Sequence, residues 1–204
     1  EHLGVNPAEH LIEIQPQKEN SAIQDEDIIA AIEKHADEIA LVFIGGVNYY
    51  TGQLFDLERI AKAAKLAGAM IGYDLAHAIG NAELKLHEWG VDFACWCSYK
   101  YLNGGPGAVA AIFVHDDHLH DMQINRLTGW WGYKKEERFK MHKSFNPEPD
   151  ATSWQLGTPS MILYACLKAS LQIFEEAGWK AVLEKQAKMA LSTGAAVAYY
   201  DHHL

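Results

Sequence analysis

The chain has 204 residues, 49% of them hydrophobic and 22% charged, which supplies enough apolar material for a packed core and excludes a disordered segment. Twenty-seven acidic side chains against seventeen basic ones give a formal net charge of −10, so there is no electrostatic footprint for nucleic acid or an anionic membrane, and a small-molecule ligand is expected. No apolar run approaches the ~20 residues that span a bilayer, the N-terminus is unlike a targeting peptide, and Cys95, Cys97 and Cys166 are too few for a disulfide framework, so the chain reads as cytosolic.

Residues 1–24, with Pro7 and Pro16, are predicted to be irregular, and the missing initial methionine suggests that other sequence precedes them. A first helix is predicted over Asp25–Glu38, with Ile28, Ile29, Ile32, His35 and Ile39 on one face and three acidic residues at its positive N-terminal end. Ile39–Ile44 follows as a strand broken by Gly45-Gly46. The next helix is predicted over Asp56–Ala67, with Gly68 as its stop, and then a strand over Ala69–Tyr73 that delivers Asp74-Leu75-Ala76-His77 at its C-terminal end.

Val91–Cys97, apolar apart from Asp92, is predicted as a strand buried on both faces, and Ala108–Val114 is another strand. Cys95 and Cys97 point the same way at period two and are expected to pack in the core rather than bind metal. His115, His118 and His120 match no standard metal spacing and suit a solvated helix start, so no metal is expected. A long polar loop through Gly129-Trp130-Trp131-Gly132 leads to a helix over Pro159–Ala177, with Ile162, Cys166, Leu167, Leu171 and Phe174 sharing a stripe. Trp179–Tyr200 reads as a second long helix. The expected organisation is a large domain over residues 1–177 and a helical connector over 178–204. Alternating helices and short apolar strands predict an α/β fold with a mostly parallel sheet flanked by helices.

In such sheets ligands sit outside the carboxyl ends of the strands, where both Asp74 and Lys100 fall. Shielding a lysine from water disfavours the ammonium and leaves an amine able to form a Schiff base with a carbonyl. Asn103-Gly104-Gly105-Pro106-Gly107 follows Lys100, whereas a nucleotide-binding phosphate loop precedes its lysine. Each residue also has a plainer reading: a snorkelling surface lysine, a strand-end capping aspartate, a semi-buried His77, and Trp130 as loop packing. If the carbonyl is that of pyridoxal phosphate, a buried Asp74 could keep the pyridine nitrogen protonated. Tyr99, Thr158 and the N–H groups that open the following helix are then candidate phosphate donors.

Taken together, Tyr49-Tyr50-Thr51-Gly52-Gln53, Asp74-Leu75-Ala76-His77-Ala78, His87-Glu88-Trp89-Gly90-Val91-Asp92-Phe93-Ala94, Ser98-Tyr99-Lys100-Tyr101-Leu102-Asn103 and Gly129-Trp130-Trp131-Gly132 resemble the kynureninase family. The resemblance implies part of the large domain of a fold type I, aspartate-aminotransferase-like pyridoxal-phosphate enzyme. It implies Lys100 as the Schiff-base lysine, Asp74 as partner of the pyridine nitrogen, His77 and Tyr99 as cofactor-pocket residues, and Trp130 and Thr158 as residues that reach the cofactor across a homodimer interface. The implied reaction is hydrolysis of L-kynurenine or its 3-hydroxy derivative to anthranilate or 3-hydroxyanthranilate and L-alanine, with Lys100, Asp74 and Tyr99 catalytic. Other reactions on the same fold, desulfuration or transamination, and a catalytically silent assembly module are the alternatives. Gly45 stands where relatives can carry a hydroxyl. Relatives also extend at both ends, where the family's phosphate-binding threonine, ring-stacking aromatic and carboxylate-binding arginine lie, so the chain resembles a middle portion.

Overall fold

The computed structural model describes residues 4–16 and 22–201, with side chains as far as residue 193. Parts of the expected irregular N-terminal stretch (1–3 and 17–21) and the end of the expected connector (202–204) lie outside the described residues. The N-terminal stretch is not wholly irregular: Pro7–His10 forms a one-turn helix, α1, because Asn6 caps it and proline tolerates the first helical position. Helix α2 runs over Asp25–Lys34 and stops four residues short of its expected end, where His35 leaves helical geometry. Its N-terminus is closed by reciprocal capping between Gln24 and Asp27, and Ile28 and Ile32 are buried.

Strand β1 (Leu41–Gly45), helix α3 (Leu57–Leu66), strand β2 (Met70–Asp74), strand β3 (Phe93–Cys97) and strand β4 (Ala110–Val114) follow. They form one sheet in the order β1-β2-β3-β4, with β1, β2 and β3 parallel and β4 antiparallel to β3. The expected mostly parallel α/β sheet is therefore present. Asp56 caps α3 by accepting from Arg59 N at 3.1 Å, and Gly68, at φ +73°, turns the chain out of it. Helix α3 buries Leu57, Ile60, Ala61 and Ala64 in a core shared with α2 and with Val42, Ile71, Tyr73 and Ala94 of the strands.

The other sheet face is different. Leu41, Phe43, Met70 and Ile112 are between 44% and 49% exposed. Phe43, Gly72 and Phe93 lie in one cross-strand row, and the two rings stack at 5.8 Å over the glycine. A Cβ on Gly72 would sit 2.3 Å from the Phe93 ring. The expectation that Val91–Cys97 is a strand buried on both faces is thus corrected. Val91 and Asp92 are buried but precede the strand, and within β3 only Ala94 is buried, because helices cover one face alone among the described residues. Cys95 and Cys97 are accordingly half-buried rather than core residues.

Asp92 anchors the chain just ahead of β3. Its carboxylate accepts from Lys65 Nζ at 2.7 Å, Ile71 N at 2.7 Å and His118 Nε2 at 2.6 Å. His118 sits in a 3₁₀ turn after β4, as a partner of Asp92 rather than a solvated helix start. Helix α4 spans Met161–Ala177, capped by Ser160 rather than opened at Pro159, and ends at Gly178; helix α5 spans Trp179–Asp201. The expected apolar stripe of α4 does not mark a buried face: Ile162, Cys166 and Leu171 are exposed, while Leu163, Leu167 and Phe174 are half-buried. No described helix is long and apolar enough to cross a membrane.

Candidate active site

Parallel pairing of β2 with β3 brings the C-terminal ends of two strands side by side, with Asp74 opposite Cys95 in register. Immediately beyond Asp74 the chain turns. Asp74 Oδ1 accepts from Ala76 N at 2.9 Å, and Ala78 N and Ile79 N both donate to Leu75 O. Asp74 is thus a turn-closing aspartate while it also lines a concavity, and the plainer reading of the sequence coexists with the functional one. Asn81 Nδ2 donates to His77 O at 3.0 Å and fixes the turn that carries the imidazole.

Beyond β3, Ser98 is buried and donates its hydroxyl to Val109 O at 2.6 Å, while Gly104 N donates back to Ser98 O. A Cβ at Gly104 would meet Ala108 Cβ at 2.9 Å and Ser98 Oγ at 3.0 Å, so only glycine lets this turn close beneath the lysine. Lys100 is held half-buried, with its Nζ 2.9 Å from His77 Nε2. An ammonium only donates, so in that state Nε2 accepts and the ring proton is on Nδ1; a free amine can instead accept from Nε2–H. His77 also packs edge-on to Tyr101 at 5.9 Å.

The concavity beside these groups has a volume of about 250 Å³ and is lined by Asp74, His77, Val47, Asn48, Tyr49 and Phe55, together with Gly45. Sequence reasoning missed the wall from Val47 to Phe55. Its signal was the Asn48–Gly52 turn, where Asn48 Oδ1 accepts from Tyr50 N and Thr51 N and Gly52 N donates to Asn48 O. At Gly45 an added Cβ would meet only Val47 O at 3.5 Å and Asp74 O at 4.0 Å, so a small side chain has room there.

Asp74 is exposed at the rim of the concavity, which corrects the expectation of a buried carboxylate; among the described residues nothing closes over it. Its charge acts on its neighbours. The Cys97 thiol first, and then burial and Asp74, push the Tyr99 hydroxyl above its ordinary range. Burial, with Asp74 second, pushes the Cys95 thiol up as well. The Tyr99 ring is half-exposed, its centroid 5.9 Å from Lys100 Nζ.

Asp74 and His77 line the concavity, Lys100 meets it through His77, and Tyr99 stands beside Lys100; neither Tyr99 nor Lys100 is a lining residue. Trp130 and Thr158 do not line this concavity. They lie in the segment between β4 and α4, where Trp131 Nε1 donates to Thr158 Oγ1 at 2.6 Å and Trp130 packs edge-on to Trp131 and Phe139. Among the described residues no cluster of histidine, cysteine and carboxylate side chains could hold a metal ion. The donor set does fit pyridoxal phosphate: an amine for its aldehyde, an anion for its ring nitrogen, an imidazole and an un-ionised phenol. The volume suits one substituted ring, just below the ~300 Å³ where pockets for larger ligands begin.

Comparison with known proteins agrees with this inventory. Residues 9–202 match the aminotransferase class-V family. The chain is 50% identical over 175 residues to a kynureninase of Koribacter versatilis, covering 86% of this chain and 41% of that protein. It is 48% identical over 183 residues to a kynureninase of Flavobacterium johnsoniae, covering 90% of this chain and 43% of that protein. The chain thus spans about two-fifths of the length of the curated relatives it matches. Among solved structures, apo cysteine desulfurase from Thermococcus onnurineus NA1 shares the fold, with a TM-score of 0.67, 16% identity and coverage of 92% of this chain and 44% of that chain. A variant of C-DES with glycine covalently linked to its PLP cofactor also shares it, with a TM-score of 0.61, 20% identity and coverage of 74% and 39%. Pyridoxal phosphate is the cofactor that goes with this family and fold.

Proposed function

Because the chain belongs to the aminotransferase class-V family, we propose that it is the cofactor-holding part of a kynureninase, a hydrolase that cleaves L-kynurenine or 3-hydroxy-L-kynurenine to L-alanine and the corresponding anthranilate. The observation that carries this reading is the meeting of Lys100 Nζ and His77 Nε2 at 2.9 Å beside the concavity that Asp74 lines. Identity of 46–50% to several kynureninases supports this chemistry over others on the same fold.

When bound, pyridoxal phosphate supplies an aldehyde for the Lys100 amine and an electron sink for the bonds that break. Asp74 offers its carboxylate to the ring nitrogen and holds a proton there by charge pairing. His77 orients the Lys100 amine until it is engaged. As a free amine beside the bound substrate, Lys100 would be the base that holds the α-proton and returns it. Tyr99, a phenol un-ionised at neutral pH, would donate a hydrogen bond at the phosphate and would help with proton transfers. Trp130 and Thr158, which do not line the concavity of their own chain, serve the phosphate of the other protomer in a homodimer.

Adding pyridoxal phosphate to the chain should produce the absorbance of a lysine Schiff base, and Lys100→Ala should abolish it. Supplied with kynurenine and with cysteine, the loaded protein should release anthranilate and alanine from the former and no sulfide from the latter. A Schiff-base band that survives Lys100→Ala would refute the assignment of the lysine, and sulfide release would move the reading to desulfuration.

A further inference from the structure

The segment between β4 and α4 carries little regular structure and is organised by a buried cation. Arg138 is 8% exposed, and its guanidinium lies 5.0 Å from the Trp130 ring centroid and 4.9 Å from that of Trp131. Nη2 donates to Trp131 O at 3.0 Å and Tyr133 O at 2.9 Å, Nε donates to Tyr133 O at 3.3 Å, and Glu148 lies 3.8 Å away as counter-charge. One planar fork thus fixes the backbone of the Trp130–Gly132 turn and both of its indoles. Through Trp131 the constraint reaches Thr158, whose hydroxyl accepts the Trp131 indole N–H at 2.6 Å.

We propose that Arg138 is a positioning residue for the cofactor phosphate: it locks Trp130, and through Trp131 also Thr158, into one preformed pair of donors. This rests on the reading of Trp130 and Thr158 as phosphate-directed given above. The chemistry follows from valence. A threonine hydroxyl has one hydrogen, so a hydroxyl that accepts from Trp131 still has that hydrogen to donate, and the accepted bond polarises it. Trp130 is 46% exposed, so its ring is held in place while one side remains available. Donors on an unrestrained loop would have to be ordered on binding, and a preformed pair avoids that cost. Lysine cannot replace Arg138 here, because a compact ammonium offers neither the planar fork that reaches two carbonyls nor a flat cation beside the two indoles.

The test compares pyridoxal phosphate with pyridoxal, which lacks the phosphate, by titrating the chain with each and following the Schiff-base absorbance. Arg138→Lys should weaken pyridoxal phosphate by about tenfold and leave pyridoxal within about twofold. Trp131→Phe keeps a ring against Arg138 and removes only the N–H to Thr158; it should give the same selective loss at about threefold, and serves if Arg138→Lys does not fold. Equal weakening of both vitamers, or of neither, would overturn the proposal and leave Arg138 a structural clamp. Thr158→Ala separates the two layers: if it retains the wild-type preference for the phosphorylated vitamer, the reading of Thr158 fails first and the role of Arg138 falls with it.

Discussion

Helix α3, ten residues long, buries Leu57, Ile60, Ala61 and Ala64 against the sheet and α2, whereas α4, seventeen residues long, buries none of its side chains among the described residues. Ile60 is 0% exposed and Ile162 is 77% exposed, although each is an isoleucine on the apolar side of a capped helix. The difference lies in what faces them. Helix α3 follows β1, leads into β2 and closes a βαβ unit, so its partner surface comes from its own neighbours in sequence. Helix α4 follows a segment held by guanidinium–indole contacts, and Ser170 Oγ donating to Leu102 O at 2.8 Å is one of its ties to the turn after Lys100. The amphipathic pattern thus reports a capacity for burial, and the presence of a partner decides whether it is used.

The largest effect should come from the packed region. Ile60→Ala leaves a cavity at the centre of the α2–α3–sheet core and should cost about 3 kcal/mol, read as a lower midpoint in urea at an unchanged slope. A cost below about 1 kcal/mol would mean that the α3 layer is no better packed than α4 and would dissolve the contrast.

Asp92→Asn should follow. Burial works against the Asp92 carboxylate, but the hydrogen bonds from Lys65, Ile71 N–H and His118 outweigh it and hold the carboxyl below its ordinary range. A depressed folded value means that the stabilisation is present above the unfolded carboxyl pKa of about 3.9 and is lost as pH falls through the folded value. Lys65 is 44% exposed, so its share is screened, and the substitution should cost about 2 kcal/mol at pH 7. Thermal melts of wild type and variant should converge as the pH drops below about 4. A gap independent of pH would mean that Asp92 acts through shape rather than charge.

These two sites also mark what was legible in the amino-acid sequence. The cap and stop of α3, Asp56 and Gly68, are local signals, and so are the positions of Asp74 at the end of β2 and of Lys100 just beyond β3. Asp92 was legible only as the one charged residue inside a run that is otherwise apolar. Its three partners lie at positions 65, 71 and 118, and a contact across such separations leaves no period to read. Val91 is buried ahead of β3, so the apolar pattern begins before the strand does. Arg138 was invisible for the same reason, since a charged residue in a polar loop gives no sign that two indoles will enclose it. The aromatic wall of the concavity comes from a turn that reads as a connection until β1 and β2 are paired.

The smallest effect should come from the region without a partner, where it bears most on the contrast. Ile162→Ala removes apolar atoms that are already in water, so the isolated chain should change by less than about 0.5 kcal/mol. The same holds for Ser160→Ala to within about 1 kcal/mol, because its contact with Leu163 N is long at 3.5 Å. Measured in dilute chain, Ile162→Ala tests exposure directly. Measured again at rising protein concentration, it asks whether a second copy covers α4. A cost that grows with concentration, alongside a concentration-dependent melting temperature in the wild type, would show that a second copy covers α4. A cost comparable with that of Ile60→Ala at every concentration would mean instead that α4 folds onto its own chain in solution.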